Sequence, residues 1–278
     1  MDGPAQQRAR DSFFADRHAE RGALRICRGT SCVLAGGPAL WRRLGTSEPS
    51  RSIACAGHCD RSPVLLEPDG RVCALREVEG RLAREELAAR PEVRVRARVP
   101  VVLERVARGE FQELERALEA GVWRAFEQAI RGEPAAVLCA LEASGECGRG
   151  GGSFPTGAKW RAAARAPGHD KAVVANGDEG DPGSFVDRVL LELDPHAVLE
   201  GLALCAFATG ARQGIVYVRS EYPQAAERVE AAIAEAQRAG LLGQAIRGSD
   251  FALDLRVVRG EGSYVCGEET ALLNALEG

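Results

Sequence analysis

The sequence is short of the features that mark several large protein classes. Among its 278 residues there is one methionine, and aromatic side chains make up only 5%, which leaves a buried core to Leu, Val, Ala and Ile. An excess of one charge is also lacking: 36 Lys and Arg stand against 40 Asp and Glu, a formal net charge of −4. That balance argues against a nucleic-acid binder held by a basic face. No window approaches the roughly 18 to 20 consecutive apolar residues of a membrane-spanning helix. The opening MDGPAQQRARDSFFADRHAERG lacks the apolar centre of a secretory signal. These absences predict a cytosolic protein with no direct membrane insertion.

Two residue types are abundant. Nine cysteines, an odd number in a chain without an export signal, point to metal or redox chemistry more than to a disulfide framework. The 32 glycines, several of them clustered, indicate backbone that must approach something closely.

Four regimes follow along the chain. Residues 1–22 are polar around an isolated Phe13-Phe14 pair and read as a frayed leader or short helix that docks on a partner. Residues 23–99 read as a compact α/β unit. It comprises a strand at ALRIC, a helix at AGGPALWRRLG, a strand at SIAC, two strands around the Pro-Asp-Gly turn of PVLLEPDGRVCALREV, and a helix at REELAAR. Residues 100–147 read as a helical connector broken at Gly109, Gly121 and Gly132. From 148 to 278, the near-continuous apolar strands KAVVAN, QGIVYVR and FALDLRVVRG alternate with helical patterns. That alternation predicts an α/β fold with a parallel sheet covered on both faces.

Cys27 and Cys32, with four residues between them, and Cys55 and Cys59, with three between them, each lie beside a strand end. The glycine-bearing loops CRGTSC and CAGHC offer peptide donors to sulfur, as a two-iron cluster requires. Tetrahedral zinc is the main rival, although structural zinc favours tighter knuckles. Cys139 and Cys205 sit in apolar helical patterns and read as core residues. His58 reads as an exposed loop histidine, with tuning or ligation of a metal as the alternative. CRGTSCVLAGG followed by CAGHCDRSPVLLEPDG resembles the thioredoxin-like [2Fe-2S] ferredoxin domains found beside the flavin subunits of bacterial NADH dehydrogenases, hydrogenases and formate dehydrogenases. The resemblance implies that Cys27, Cys32, Cys55 and Cys59 hold a [2Fe-2S] cluster.

GRGGGSFPTGAKW precedes a strand, so it is not the strand-to-helix dinucleotide fingerprint. Its glycines leave N–H groups free to meet a ring or phosphate, Phe154 is suited to stacking, and Lys159 to an anion. In NGDEGDPGSFVDR, acids crowd the carboxyl end of a strand, where open α/β sheets bind ligands, although acids also serve as ordinary helix starts. Glu268 and Glu269 open a helix in GEGSYVCGEETALLNALEG. Together these three motifs resemble the flavin-binding domain of the NADH-oxidising, 51 kDa-type subunit of complex I and its relatives in soluble hydrogenases and NAD-dependent formate dehydrogenases. The resemblance implies a Rossmann-like sheet holding FMN. Gly148, Arg149, Gly150, Lys159, Asn176, Asp178, Glu179, Gly267 and Glu268 would line the FMN site, and Gly151, Phe154, Asp181, Tyr264 and Glu269 would face NAD(H). Gly177 stands where that family usually has Ala.

The family continues beyond NALEG into further segments, including one with a [4Fe-4S] motif, so the chain is expected to be a fragment. The resemblance further implies a diaphorase that exchanges hydride between NAD(H) and FMN and passes single electrons to iron–sulfur clusters. Its partners would be a 24 kDa-type [2Fe-2S] subunit and other redox subunits of a formate dehydrogenase, hydrogenase or complex I assembly, with a place peripheral to a membrane complex where that assembly has one. The other readings are a non-catalytic electron carrier with a degenerate flavin domain, and a zinc-stabilised scaffold.

Overall fold

Two sheets organise the chain, and each follows its own hydrophobic pattern. The computed structural model describes residues 6–7, 13–14, 16, 23–44, 49–87, 93–109, 112–168 and 170–278. In the first sheet, β1 (Leu24–Cys27) and β2 (Ser50–Ile53) are parallel and are joined through the helices α1 (Thr30–Leu34) and α2 (Gly37–Leu44). Strands β3 (Val64–Leu66), β4 (Val72–Val78) and β5 (Arg81–Glu86) add antiparallel, giving the order β2-β1-β3-β4-β5. Central β3 is buried throughout, and Leu24, Ile26, Trp41, Ile53 and Leu75 close around it.

REELAAR is not the expected helix. Arg84 to Glu86 belong to β5, and 88–90 lie outside the described residues. Glu79 and Gly80 both have positive φ, 49° and 76°, as in the two-residue turn whose twist suits paired strands. The turn sets Val78 against Arg81 and carries the register on to Cys73 against Glu86. A helix of seven residues would repay its nucleation poorly, whereas the hairpin gains a ladder along an existing strand.

The connector holds the expected short helices: α3 (Glu104–Arg108), α4 (Leu114–Glu119), α5 (Arg124–Ala129) and α6 (Pro134–Ser144). Gly109 and Gly121, at φ 147° and 86°, end the first two. Trp123 and Phe126 leave this segment to join the core of the second sheet.

That sheet has three parallel strands in the order β6 (Ala172–Gly177), β7 (Gln213–Val218), β8 (Asp254–Arg259). Helix α7 (Thr156–Arg165) precedes β6, α8 (Val186–Leu193) and α9 (Pro195–Thr209) link β6 to β7, α10 (Pro223–Arg238) links β7 to β8, and α11 (Glu269–Glu277) follows. Alternation along the strands divides the core in two. Val173, Val216 and Leu255 face Leu199, Ala206, Val229 and Ile233 of α9 and α10. Val174, Tyr217 and Val258 face Leu272 and Leu276 of α11. Both faces are therefore covered, as the apolar runs predict.

Helices α7 and α8 are additions to the sequence-based expectation, and Thr156–Trp160, read as the end of a loop, is the first part of α7. The Phe13-Phe14 pair turns onto this chain itself: Phe14 is buried, and Phe13 packs with Tyr217, Cys266 and Leu272. Most of the remaining leader lies outside the described residues. Among the described residues no helix is long and apolar enough to cross a membrane.

Gly177 has a packing reason. A methyl group there would lie 2.7 Å from the Tyr217 carbonyl oxygen and 3.0 Å from Leu191 Cδ1. Gly177→Ala is expected to cost about 1–3 kcal/mol through overpacking, read as a lower midpoint in chemical denaturation.

Candidate functional site

The carboxyl ends of β6, β7 and β8 are tied together by main-chain carbonyls and a few polar side chains. Asn176 Nδ2 donates to the carbonyls of Cys266 (2.9 Å) and Gly267 (3.1 Å), while its Oδ1 accepts from Asp178 N at 2.9 Å. One amide thus fastens the loop after β8 to the loop after β6. Glycine permits the close approach: a Cβ on Gly267 would sit 3.2 Å from the Asp178 carbonyl oxygen, and one on Gly180 would sit 2.9 Å from that of Tyr264. Asp178 is buried at this seam, and its Oδ2 has no hydrogen-bond partner among the described residues. Burial, opposed by nearby Arg219, pushes its carboxyl up to about 6. An orphaned buried oxygen is the kind of group a ligand satisfies.

The other acids divide by role. Glu179 caps α8: Oε1 accepts from Ser184 Oγ (2.9 Å) and Val186 N (2.8 Å), and Oε2 from Asp187 N (3.1 Å) and Arg188 N (3.3 Å). Its carboxylate is engaged by the helix start, where N–H groups lack intrahelical partners. Glu268 caps α11 by accepting from Ala271 N at 2.9 Å. Glu269, with a side chain 83% exposed, stands 4.0 Å from Lys159 Nζ and so brings α7 toward α11. Asp181 and Tyr264 are exposed.

In the glycine loop, Gly148 N donates to the Phe154 carbonyl at 2.8 Å and closes a small ring of chain, with Arg149 held to Glu146 at 3.2 Å. Gly150, Gly151 and Gly152 face open space, Gly151 has a φ of 106°, and Phe154 is 56% exposed. Among the described residues, no hydrogen bond or ion pair joins this loop to 176–181.

The four patterned cysteines converge. Cys27 neighbours both Cys32 and Cys55 through sulfur contacts, and Cys55 Sγ lies 3.7 Å from Cys59 Sγ. Two thiolates about 2.3 Å from one tetrahedral metal stand about 3.8 Å apart, so this pair has the spacing of two ligands on one ion. Peptide donors surround the sulfurs: Ala56 N to Cys27 (3.3 Å), Gly57 N to Cys55 (3.3 Å) and Gly183 N to Cys59 (3.0 Å). Among the described residues no three His, Cys, Asp or Glu side chains gather around a single ion position, and the sulfur contacts run in a chain from Cys32 through Cys27 and Cys55 to Cys59. Sharing of protons splits the set. The hydrogen bond from Cys27 lowers Cys32, and those from Cys27 and Cys59 lower Cys55. Cys27 and Cys59, as the donors, are raised.

Two expectations need correction. His58 is not an exposed loop histidine but is 3% exposed, with Nδ1 in contact with Arg188 and, at 3.0 Å, with Arg61. Burial and these cations lower its pKa well below the usual value. Cys139 is exposed rather than a core residue, on the outer face of α6 beside Arg161, while Cys205 is half-buried.

Arg219 and Arg188 had not been singled out in the sequence. Arg219 ends the apolar run of β7, and that position, a charge closing a buried strand, was the available signal. Its buried guanidinium donates to the carbonyls of Cys55 and Glu179 and to Glu221 Oε2 (3.1 Å).

Loops converging on the carboxyl ends of a parallel sheet, with helices on both faces, define a Rossmann-like α/β ligand-binding protein. Comparison with known proteins makes the class specific. Residues 141–278 match the family model described as the Nuo51 FMN-binding domain, and through that stretch the chain belongs to the Nuo51 FMN-binding family. It is 38% identical over 188 residues to an NADH-quinone oxidoreductase component of Aquifex aeolicus, covering 68% of this chain and 44% of that one. It is 49% identical over 145 residues to HndC, a component of the NADP-reducing hydrogenase of Solidesulfovibrio fructosivorans, covering 52% of this chain and 29% of that one. A crystal structure of an NAD+-reducing [NiFe]-hydrogenase in the H2-reduced state superposes with a TM-score of 0.72 at 28% identity, over 99% of this chain and 49% of that one. The chain spans less than half the length of each of these relatives.

Asp178 yields a pH prediction. Its carboxyl is raised in the folded state, so between about pH 4 and 6 the folded protein binds the extra proton. Stability from this group therefore falls as pH rises through that window. Asp178→Asn is expected to stabilise the ligand-free protein by up to about 3 kcal/mol at pH 7.5, with the gain gone below pH 4. Denaturation midpoints of both proteins across pH 3.5 to 8 give the check.

Proposed function

We propose that the chain is the flavin- and nucleotide-binding part of an NADH:acceptor oxidoreductase that works within a larger redox assembly. The observation that carries this reading is the buried Asp178, with its unpartnered oxygen, at the seam of two glycine-bearing loops inside the segment that matches the FMN-binding family. Asn176, Asp178 and Gly267 would form the floor of the FMN site. The backbone at Gly148 and Gly150, with Arg149 and Lys159, would meet its anionic end. Glu179 and Glu268 would act by holding α8 and α11 in place. Gly151, Phe154, Asp181 and Tyr264, exposed on the same loops, and Glu269, exposed at the start of α11, would face the nicotinamide nucleotide.

When bound, FMN supplies the exchange between the two-electron chemistry of NADH and one-electron acceptors. The chain's own residues bind and orient, and no side chain has to act as a general acid or base. Residues 23–99 are proposed as a thioredoxin-like domain in which Cys27, Cys32, Cys55 and Cys59 hold a [2Fe-2S] cluster. The parallel β1-β2 pair followed by the antiparallel β3-β4 pair supports this, as do the converging sulfurs and their peptide donors. Residues 100–147 would connect it to the FMN/NADH domain at 148–278. A 24 kDa-type [2Fe-2S] subunit and further redox subunits of a hydrogenase, formate dehydrogenase or complex I assembly are the proposed partners, and a cytoplasmic position the proposed location.

The test is the visible spectrum of anaerobically purified protein before and after NADH. Flavin bands near roughly 450 nm that bleach over a broad iron–sulfur background are expected. A colourless protein that binds zinc would overturn the reading. Glu269→Ala is expected to weaken NADH binding about tenfold, roughly 1.4 kcal/mol, with FMN content unchanged. Parallel nucleotide titration and flavin release distinguish the two, and equal loss of both would remove Glu269 from the nucleotide side.

A further inference from the structure

The loop between Cys55 and Cys59 takes four contacts from the side of the second sheet. Arg219 donates to the Cys55 carbonyl. The Tyr222 ring lies directly under Gly57, where a Cβ would meet it at 2.1 Å. Arg188 contacts His58 Nδ1 and donates to Asp60 Oδ1 at 3.3 Å, and Gly183 N donates to Cys59 Sγ at 3.0 Å. Each of these holding residues lies on α8, on the loop that precedes it, or just beyond β7.

Arg188 is the most constrained of them. It is fully buried, and both of its terminal nitrogens point into the cysteine loop. It sits on the first turn of α8, the turn capped by Glu179. We propose that Arg188 is a positioning residue for the thiol set, reaching it through His58 and Asp60, so that the metal-binding loop takes its orientation and a buried positive charge from α8, the helix that follows the acid-bearing loop after β6. This rests on the reading of the four cysteines as cluster ligands. The physical consequence is electrostatic. Reduction adds a negative charge to a cluster, and a fixed cation in a poorly solvated place favours the reduced form. Arg61 and Arg219 add to that field, while Asp60 and Glu192 oppose it. A planar fork that bridges two partners also restricts the loop in a way an ammonium does not.

The test uses the full chain, purified anaerobically with its iron, as wild type, Arg188→Met and Arg188→Lys. Iron content, the EPR spectrum of the dithionite-reduced protein, and the midpoint potential by EPR-monitored titration are read for each. Arg188→Met is expected to retain iron while its midpoint moves negative and its g-values change. Arg188→Lys is expected to return the midpoint toward wild type while the g-values stay altered, because the charge is kept and the fork is lost. Wild-type g-values and midpoint in Arg188→Met would overturn the assignment. Should that variant not fold, Arg188→Lys carries the test alone, and wild-type g-values in it overturn the assignment. Absence of iron from the wild-type protein sinks the cluster reading itself, which separates the two failures.

Discussion

A buried guanidinium, Arg219, ties the two halves of the molecule together. Arg219 is 4% exposed, and its forked donors reach the main-chain carbonyl of Cys55 in one loop and of Glu179 in another, with Glu221 balancing the charge. Burying a cation is costly unless its donors are satisfied, and here carbonyls and a carboxylate from three different segments satisfy them. The arrangement forms only when both sheets are folded and apposed. Placement of the thiols and of the carboxylate loop are therefore parts of one packing solution, which the Tyr222 ring under Gly57 completes.

The same economy governs the acidic residues. A cluster of carboxylates at the end of a strand looks uniform in sequence, yet the structure separates two kinds. Glu179 and Glu268 sit at helix starts and answer unpaired N–H groups, a role that organises the loops without presenting charge to a ligand. Asp178 is buried with an oxygen left over, and Asp181 and Glu269 are open to solvent. These three, unlike the caps, are not engaged by a helix start. The capping acids matter because α8 and α11 begin where they do, and Arg188 points at the cysteine loop from one of those first turns.

Much of the fold was legible in the residues. The apolar runs KAVVAN, QGIVYVR and FALDLRVVRG became β6, β7 and β8 because a strand covered on both faces is apolar over most of its length. The Pro-Asp-Gly turn fell between β3 and β4. REELAAR misled because helix-forming residues on an edge strand respond to the ladder beside them, and the positive φ at Glu79 and Gly80 is a matter of pairing, not of composition. His58 misled for a related reason. A histidine between two cysteines in a glycine-bearing loop carries no local mark of burial, and the residues that bury it, Arg188 and Arg219, lie more than a hundred positions away.

By itself the sequence determined the α/β class, the strands of the parallel sheet, the grouping of Cys27, Cys32, Cys55 and Cys59 into a spaced set, and the three glycine-bearing motifs proposed to meet the ligands. These follow from periodicity, turn residues and spacing, which are local properties. The tertiary structure decided which acids are caps and which are not, that the four thiols converge, and that the cysteine loop rests on α8 and the end of β7. Those outcomes depend on close approach between distant segments and on where buried charges find partners, and both are set by packing in three dimensions.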